Sequence, residues 1–289
     1  MEKVLVYDVS NYLYASYFVS ENDPNLRTRE EKKAFWKFIL VSMILNVRNK
    51  YDKPKEVVLA IDSKNTWRKD YFKYYKARRV LKKEKDDTDW DYFYTTADSF
   101  IEEIKKHFPF KVVKVDKTEA DDIIAVLSDK LAVDKEVIIV SRDKDFYQLL
   151  RNDNIKIYNP ITNQEIVKEE NPIEFLTLHI LKGDANDDVP NIFSDDNVFV
   201  NSDKRQKAIT KKITQEVLEE GLDKFVIKNG LIDNYNRNRK LIELSSEIIP
   251  EDLVTEILYK YNSEKPTGDF ESMLGYISKN KMDSLLDQI

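Results

Sequence analysis

The sequence predicts an α/β fold: a mostly parallel central sheet flanked by helices, followed by a smaller, all-helical C-terminal domain. Three observations lead there. Four short β-branched runs, KVLVYDV (3–9), EVVLAID (56–62), KVVKVD (111–116) and EVIIVSRD (136–143), recur with helical patterns between them. Buried strands alternating with helices make a parallel sheet, because each crossover returns the chain to the same edge. After Asn171-Pro172 no strong strand pattern follows and the remaining pattern is helical. With 289 residues there is ample chain for one large core or two modest ones. The boundary falls near residue 165, giving an α/β domain over 1–165 and a helical domain over 166–289.

Taken in order, the first run carries Asp8 as its next-to-last residue and the second ends in Asp62. Segments 29–50 and 96–107 place apolar residues at helical spacing, and His107 at the end of the latter suits a helix C-terminal cation. TEADDIIAVLSDKL (118–131) reads as a helix with Thr118 as N-cap, acids in its first turn, and Ile123, Ile124, Val126, Leu127 and Leu131 on one side. The fourth run meets Asp143 and Asp145 with Lys144 between them. In the second domain PIEFLTLHILKG, KRQKAITKKITQEVLEEG and PEDLVTEILYKY read as helices.

Composition excludes several classes. There is no cysteine, hence no disulfide and no thiolate metal site, which suits a reducing compartment. The five glycines form neither GxGxxG nor GxxxxGK[ST], so dinucleotide and P-loop folds are unsupported. The two histidines, His107 and His179, sit in no recognisable triad setting. Glu2, Lys3 and Asp8 break any apolar core of a signal peptide, and no run is long enough to span a membrane, so a cytoplasmic protein is expected. The net charge of −6 hides segregation: residues 64–85 hold ten Lys or Arg against two acids, while acids cluster elsewhere. Such a chain can hold a polyanion with one zone and metal cations with the other.

The acids carry the chemistry. In an open parallel sheet, ligands bind beyond the carboxyl ends of the strands. Asp8, Asp62, Asp143 and Asp145 end strands there; Glu119, Asp121 and Asp122 start a helix on the same edge; Asp184 and Asp187 follow another helix. Singly, each also suits a cap or a turn. Together they would repel strongly unless cations intervene. Oxygen ligands without His or Cys favour Mg²⁺ or Mn²⁺, and a pair of such ions about 4 Å apart suits phosphodiester hydrolysis. NTWRKDYFKYYKARR (65–79) then interleaves cations with aromatics: Arg68, Lys76 and Arg79 to hold phosphates, Trp67, Tyr71, Phe72, Tyr74 and Tyr75 to stack on bases or to pack the segment. The bland alternative is an amphipathic helix with a solvated basic face.

VYDVSNYLY, AIDSKNTWRKDYFKYYKARR, KTEADDIIAVL, VSRDKDFYQL and LKGDANDDVPN, in this order from Val4 to about Pro190, resemble the flap endonuclease and 5′-nuclease family, in the branch of the T-even phage ribonucleases H. The resemblance implies a PIN/5′-nuclease-like domain with a basic helical arch at about 63–95. It also implies a 5′→3′ exonuclease and flap endonuclease on RNA/DNA or DNA/DNA duplexes, removing RNA primers and 5′ flaps in replication. By motif position, Asp8, Asp62, Glu119, Asp121 and Asp143 surround the first of two Mg²⁺ ions, with Mn²⁺ as substitute. Asp145, Asp184 and Asp187 shape the second, and Asp122 stands beside the first. Lys76 and Arg79 match the arch pair that reaches the scissile phosphate, and Tyr14 matches an aromatic that stacks on the terminal base. The chain departs from the family's glycine-rich hairpin: Asp188 stands where Asn is usual, and no glycine occurs from 184 to 220. Lys204, Arg205, Lys207, Lys211 and Lys212 are the replacements for its grip on duplex phosphates.

A phage single-strand-binding protein and a sliding clamp are partners by the same analogy, with the chain itself a monomer in the host cytoplasm. Two other readings stay open: a non-catalytic branched-DNA-binding protein, and a PIN-type single-strand ribonuclease. The first has no use for the acid set; the second lacks a long basic arch and a helical second domain.

Overall fold

The structure is a computed structural model and describes residues 1–167 and 171–289. Six strands form one sheet: β1 (Glu2–Asp8), β2 (Glu56–Ile61), β3 (Lys111–Lys114), β4 (Lys135–Val140), β5 (Ile155–Asn159) and the short β6 (Gln164–Glu165). Their order is β3-β2-β1-β4-β5-β6, all parallel except the last pair. From β1 the chain moves outward to β2 and β3, then returns to place β4 on the other side. The reversal falls between β1 and β4, where side chains beyond the strand ends meet an open crevice.

Both faces of the sheet are covered, which is why its strands read as continuous apolar runs. Leu5 and Tyr7 of β1 join one core with α1 (Val9–Glu21) and α2 (Arg29–Lys50), while Val4 and Val6 point into the other. The helix α2 is set by a capping box, in which Thr28 accepts from the Glu31 amide and Glu31 answers at the Thr28 amide. Between β2 and β3 come the short helices α3 (Trp67–Tyr71) and α4 (Ala77–Lys83), then α5 (Trp90–His107). The opposite face is covered by α6 (Ala120–Leu131) and by a 3₁₀ turn at Lys144–Arg151.

After β6 the chain is helical: α7 (Pro172–Lys182), α8 (Lys211–Glu220), α9 (Leu222–Asn229), α10 (Ile232–Ile242), α11 (Glu251–Ser263), α12 (Phe270–Lys279) and a closing 3₁₀ turn. A third core unites α7 to α10 with Phe72 and Tyr75 from the stretch between α3 and α4. The last helices return to the sheet domain: Leu253, Ile257 and Tyr261 of α11 enter the core under α6, and Met273, Tyr276 and Ile277 of α12 enter the core beside α5. Packing therefore interleaves the two halves of the sequence.

Three sequence expectations change here. The N-cap of α6 is Glu119, not Thr118, whose hydroxyl instead donates to the Val115 carbonyl; Glu119 and Asp122 form the capping box. The basic run 204–221 is helical only from Lys211. Residues before it hold a loop instead: the Asn191 amide donates to Gln206, its side chain donates to the Lys207 carbonyl, and the Lys207 amide donates to Ser194 Oγ. Strands β5 and β6 escaped the sequence reading, β5 (IKIYN) because Lys156 interrupts its apolar run and β6 because it has only two residues.

The return of α12 generates a test. Glu103 of α5 accepts from Lys37 Nζ of α2 and from the Tyr276 hydroxyl of α12, both at 2.7 Å. Burial pushes this carboxyl up, but Lys37 and Tyr276 outweigh it and hold it below the usual range. Its contribution is therefore present above the unfolded value of 4.5 and lost as the pH falls through the lower folded value. Glu103→Gln should lower stability by about 1–2 kcal/mol at pH 7. The deficit should shrink well below pH 4.5 in urea melts; an equal deficit at both pH values would refute the ionic account.

Candidate active site

A cleft of about 860 Å³ opens at the carboxyl edge of the sheet. Asp8, Asp62, Glu119, Asp121, Asp143, Asp145, Asp184 and Asp187 all line it, with Tyr14, Lys76 and Arg79. The acids arrive from several elements. Asp8 ends β1 and is held by the Ser141 hydroxyl at 2.9 Å and the Asn11 amide at 3.3 Å. Asp62 follows β2 and accepts from the Ala120 amide at 2.7 Å, at the positive end of α6. Asp143 and Asp145 open the 3₁₀ turn after β4, where the Asp145 amide donates to Asp143.

Asp184 and Asp187 sit on a loop that only Gly183 permits. Gly183 ends α7 with φ 68°, and a Cβ there would stand 2.3 Å from the Val189 carbonyl oxygen. The loop closes through Val189 N–H donating to Asp184 O at 2.8 Å. The Asp184 carboxylate accepts from the Asn186 amide at 2.7 Å.

The charges divide into two sides. On one side the protein supplies cations. Lys76 Nζ pairs with Glu119 and lies 3.5 Å from Asp187, which also pairs with Arg79. The Tyr75 hydroxyl stands 3.0 Å from both Glu119 and Asp187. Burial pushes Glu119 up, yet Lys76 and Arg68 win and hold it at about 2. On the other side, among the described residues, no Lys or Arg forms a salt bridge with Asp8, Asp121 or Asp145, and only His179 approaches Asp145. Burial, reinforced by Asp62, pushes Asp8 up to about 7. Burial and Asp143 do the same to Asp145, despite His179. Asp121 is raised well above the carboxylate range by burial, then by Asp143 and Asp8. Crowded hard-oxygen donors of this kind fit divalent cations.

Several predicted site residues stand elsewhere. Asp122 is fully buried away from the cleft, with Trp67 Nε1 donating to it at 3.2 Å and Arg68 at 3.0 Å. It is a cap and counterion, not a metal-facing acid. Arg68 is only 2% exposed. It donates to Glu119, to Asp122 and, across the lobes, to the Leu241 carbonyl at 3.0 Å, so it cannot reach a phosphate. Tyr14 lines the cleft, but its ring stacks on Phe93 with centroids 4.7 Å apart and its hydroxyl meets Tyr94. Lys204, Arg205, Lys207, Lys211 and Lys212 are exposed and away from the cleft; Lys204 pairs with Asp195.

The sequence reading passed over His179. On the last turn of α7 it faces Asp145 at 3.8 Å and Asp184 at 3.5 Å. Its spacing four residues before Gly183 was the available signal, since a helix running into the acid loop must aim its final turn at that loop.

An acid-lined cleft at the reversal of a parallel sheet, faced by two cations from a basic arch, is the layout of a nuclease. Residues 3–176 match the family described as 5′-3′ exonuclease, N-terminal resolvase-like domain, and residues 170–289 match T4 RNase H, C terminal. The chain belongs to the 5′-3′ exonuclease family. It is 30% identical to ribonuclease H of Enterobacteria phage T4 over 81% of this chain and 78% of that protein. It is 32% identical to a 5′-3′ exonuclease of Buchnera aphidicola over 65% of each. Among solved structures, bacteriophage T5 5′-exonuclease with bound zinc superposes with a TM-score of 0.63 at 19% identity, over 89% of this chain and 99% of that one. The T5 flap endonuclease in a pseudo-enzyme–product complex with DNA and metal ions gives 0.65 at 18% identity, over 91% of this chain and all of that one.

The uncompensated side predicts a coupling of pH and cation. In the unfolded chain Asp8 and Asp145 ionise near 3.8, and in the fold near 7. Ionising them therefore costs stability as the pH rises through that window, and a bound divalent cation offsets the cost. The rise in Tm on adding a divalent cation should be larger at pH 8 than at pH 5. A smaller gain at pH 8 would sink the crowded-carboxylate account.

Proposed function

We propose that the chain is a divalent-cation-dependent 5′→3′ exonuclease and flap endonuclease that removes RNA primers and 5′ flaps from RNA/DNA and DNA/DNA duplexes. The observation that carries this reading is the convergence of eight acids and two arch cations on one open cleft. Asp8, Asp62, Glu119, Asp121 and Asp143 would hold one Mg²⁺, directly or through water, and Asp145, Asp184 and Asp187 a second; Mn²⁺ would substitute. Such ions supply Lewis acidity and an activated water.

The chain's own groups do the rest. Lys76 and Arg79 stand at the rim on salt bridges to Glu119 and Asp187. A phosphodiester entering the cleft exchanges those partners for its own oxygens, which positions it and offsets the charge that grows on it. Hydrolysis leaves 5′-phosphate and 3′-hydroxyl. Tyr14, half-buried in the cleft lining, would be the contact for the terminal base. Lys204, Arg205, Lys207 and Lys211, exposed at the start of and before α8, supply side-chain contacts to duplex phosphates where backbone amides of a glycine hairpin are lacking.

A labelled 5′-flap duplex tests this. Asp8→Asn should slow Mg²⁺-dependent cleavage by at least about 10³-fold while flap binding persists. Retained turnover in both Asp8→Asn and Asp143→Asn would overturn the reading. Lys76→Met should slow cleavage about 10- to 100-fold and flatten the dependence of log affinity on log salt by about one unit. An unchanged rate at every salt concentration would remove Lys76 from the site.

A further inference from the structure

The acid set alone predicts an oxygen-only cation site, but His179 stands inside it. The last turn of α7 carries His179 to the far side of the cleft, between Asp145 on the strand-end turn and Asp184 on the glycine loop. One ligand-capable atom from each of the three lies within 4.8 Å of the others. Nδ1 faces Asp145 Oδ1 at 3.8 Å and Nε2 faces Asp184 Oδ2 at 3.5 Å. Both separations are long for a hydrogen bond. Nδ1 is buried and makes none.

We propose that His179 is a nitrogen ligand of the second cation, beside Asp145 and Asp184, and biases that position toward cations that accept imidazole, Mn²⁺ ahead of Mg²⁺. This rests on the reading of the cleft as a metal centre. Donor atoms about 2.1 Å from one octahedral ion stand about 3.0 Å apart when adjacent and about 4.2 Å apart when opposite. The 3.8 Å from Nδ1 to Asp145 is the spacing of two donors on one ion, while Asp184 faces the other ring nitrogen. With the proton on Nε2, toward Asp184, Nδ1 presents its lone pair to the space beside Asp145, and the carboxylate fixes the tautomer. The ring is braced by Phe175, T-shaped at 5.7 Å. Mg²⁺ prefers oxygen and keeps its waters, whereas Mn²⁺ and later ions take imidazole readily.

The rival role is a histidine cation paired with two acids, which puts no nitrogen on the ion. Pulsed EPR of the full chain loaded with Mn²⁺ separates them, because the sequence holds only His107 and His179. A directly bound ¹⁴N should couple to the Mn²⁺ electron spin and convert to ¹⁵N coupling in protein made with ¹⁵N-histidine. The coupling should vanish in His179→Gln and survive in His107→Gln, whose site stacks on Tyr276 away from the cleft. Mn²⁺ affinity at one position should fall about tenfold in His179→Gln, with Mg²⁺ affinity moving less than about threefold. Two bound Mn²⁺ without nitrogen coupling would overturn this inference and leave the metal centre standing. No Mn²⁺ binding at all would overturn both. Coupling lost in His107→Gln but kept in His179→Gln would assign the nitrogen elsewhere and overturn it too. Should His179→Gln fail to fold, the labelled wild type and His107→Gln decide the matter alone.

Discussion

Everything at the carboxyl edge of this sheet answers to electrostatic crowding. Placing eight acids around one cleft is tolerable only if each charge is neutralised, protonated or solvated. The chain solves half of this problem internally. Lys76 and Arg79 sit against Glu119 and Asp187, and the buried Arg68 sits against Glu119 and Asp122. Three others, Asp8, Asp121 and Asp145, have no salt bridge to Lys or Arg among the described residues and are pushed toward protonation. That asymmetry is the clearest physical sign of where external cations belong. A purely structural acid cluster has no reason to leave one side unpaired.

The fold makes the crowding possible by spending its backbone donors on it. Asp62 takes the first amide of α6, Asp143 takes the Asp145 amide, and Asp184 takes the Asn186 amide. These bonds orient carboxylates before any ligand arrives. Arg68 ties the arrangement to the helical lobe through the Leu241 carbonyl, and Gln148 repeats the tie by bonding Ile242 and Leu244. The acids contributed by α7 and its loop are thus held at a fixed distance from those of the sheet, although about forty residues separate Asp145 from Asp184 in sequence.

The sequence disclosed what is periodic and what is repeated. The first four strands announce themselves because both faces are buried, so their central side chains are apolar. The site acids were legible because strand ends and helix starts share one edge of a parallel sheet. Side-chain direction was not legible. Asp121 and Asp122 are neighbours, yet one turns to the cleft and the other into the core, because Glu119 and Asp122 cap the helix together. Arg68 and Lys76 lie on one basic run, yet only the first is consumed as a buried counterion. His179 gave no chemical signal because its partners come from two other segments. The helix expected from residue 204 failed locally, since side chains of Asn191 and Ser194 compete for its backbone groups.

The arch and the acid loop are one mechanical unit. Lys76 donates its amide to the Asp187 carbonyl, Arg78 pairs with Asp188, and Arg79 pairs with Asp187. Lys76 and Asp188 both hold left-handed backbone, φ 54° and 60°, without being glycine. Such conformations cost on the order of 1 kcal/mol each and persist where surrounding contacts impose them. The contacts that impose them here are the same ion pairs that neutralise the acids. Asp188 therefore has a structural role for its charge at a position where Asn is usual: it receives Arg78 and its amide, and so fixes the start of α4. In the function proposed above, Lys76 and Arg79 would change partners while Arg78 and Asp188 keep the arch docked. One basic run thereby contains both two cations paired with cleft acids and a third that anchors the segment carrying them.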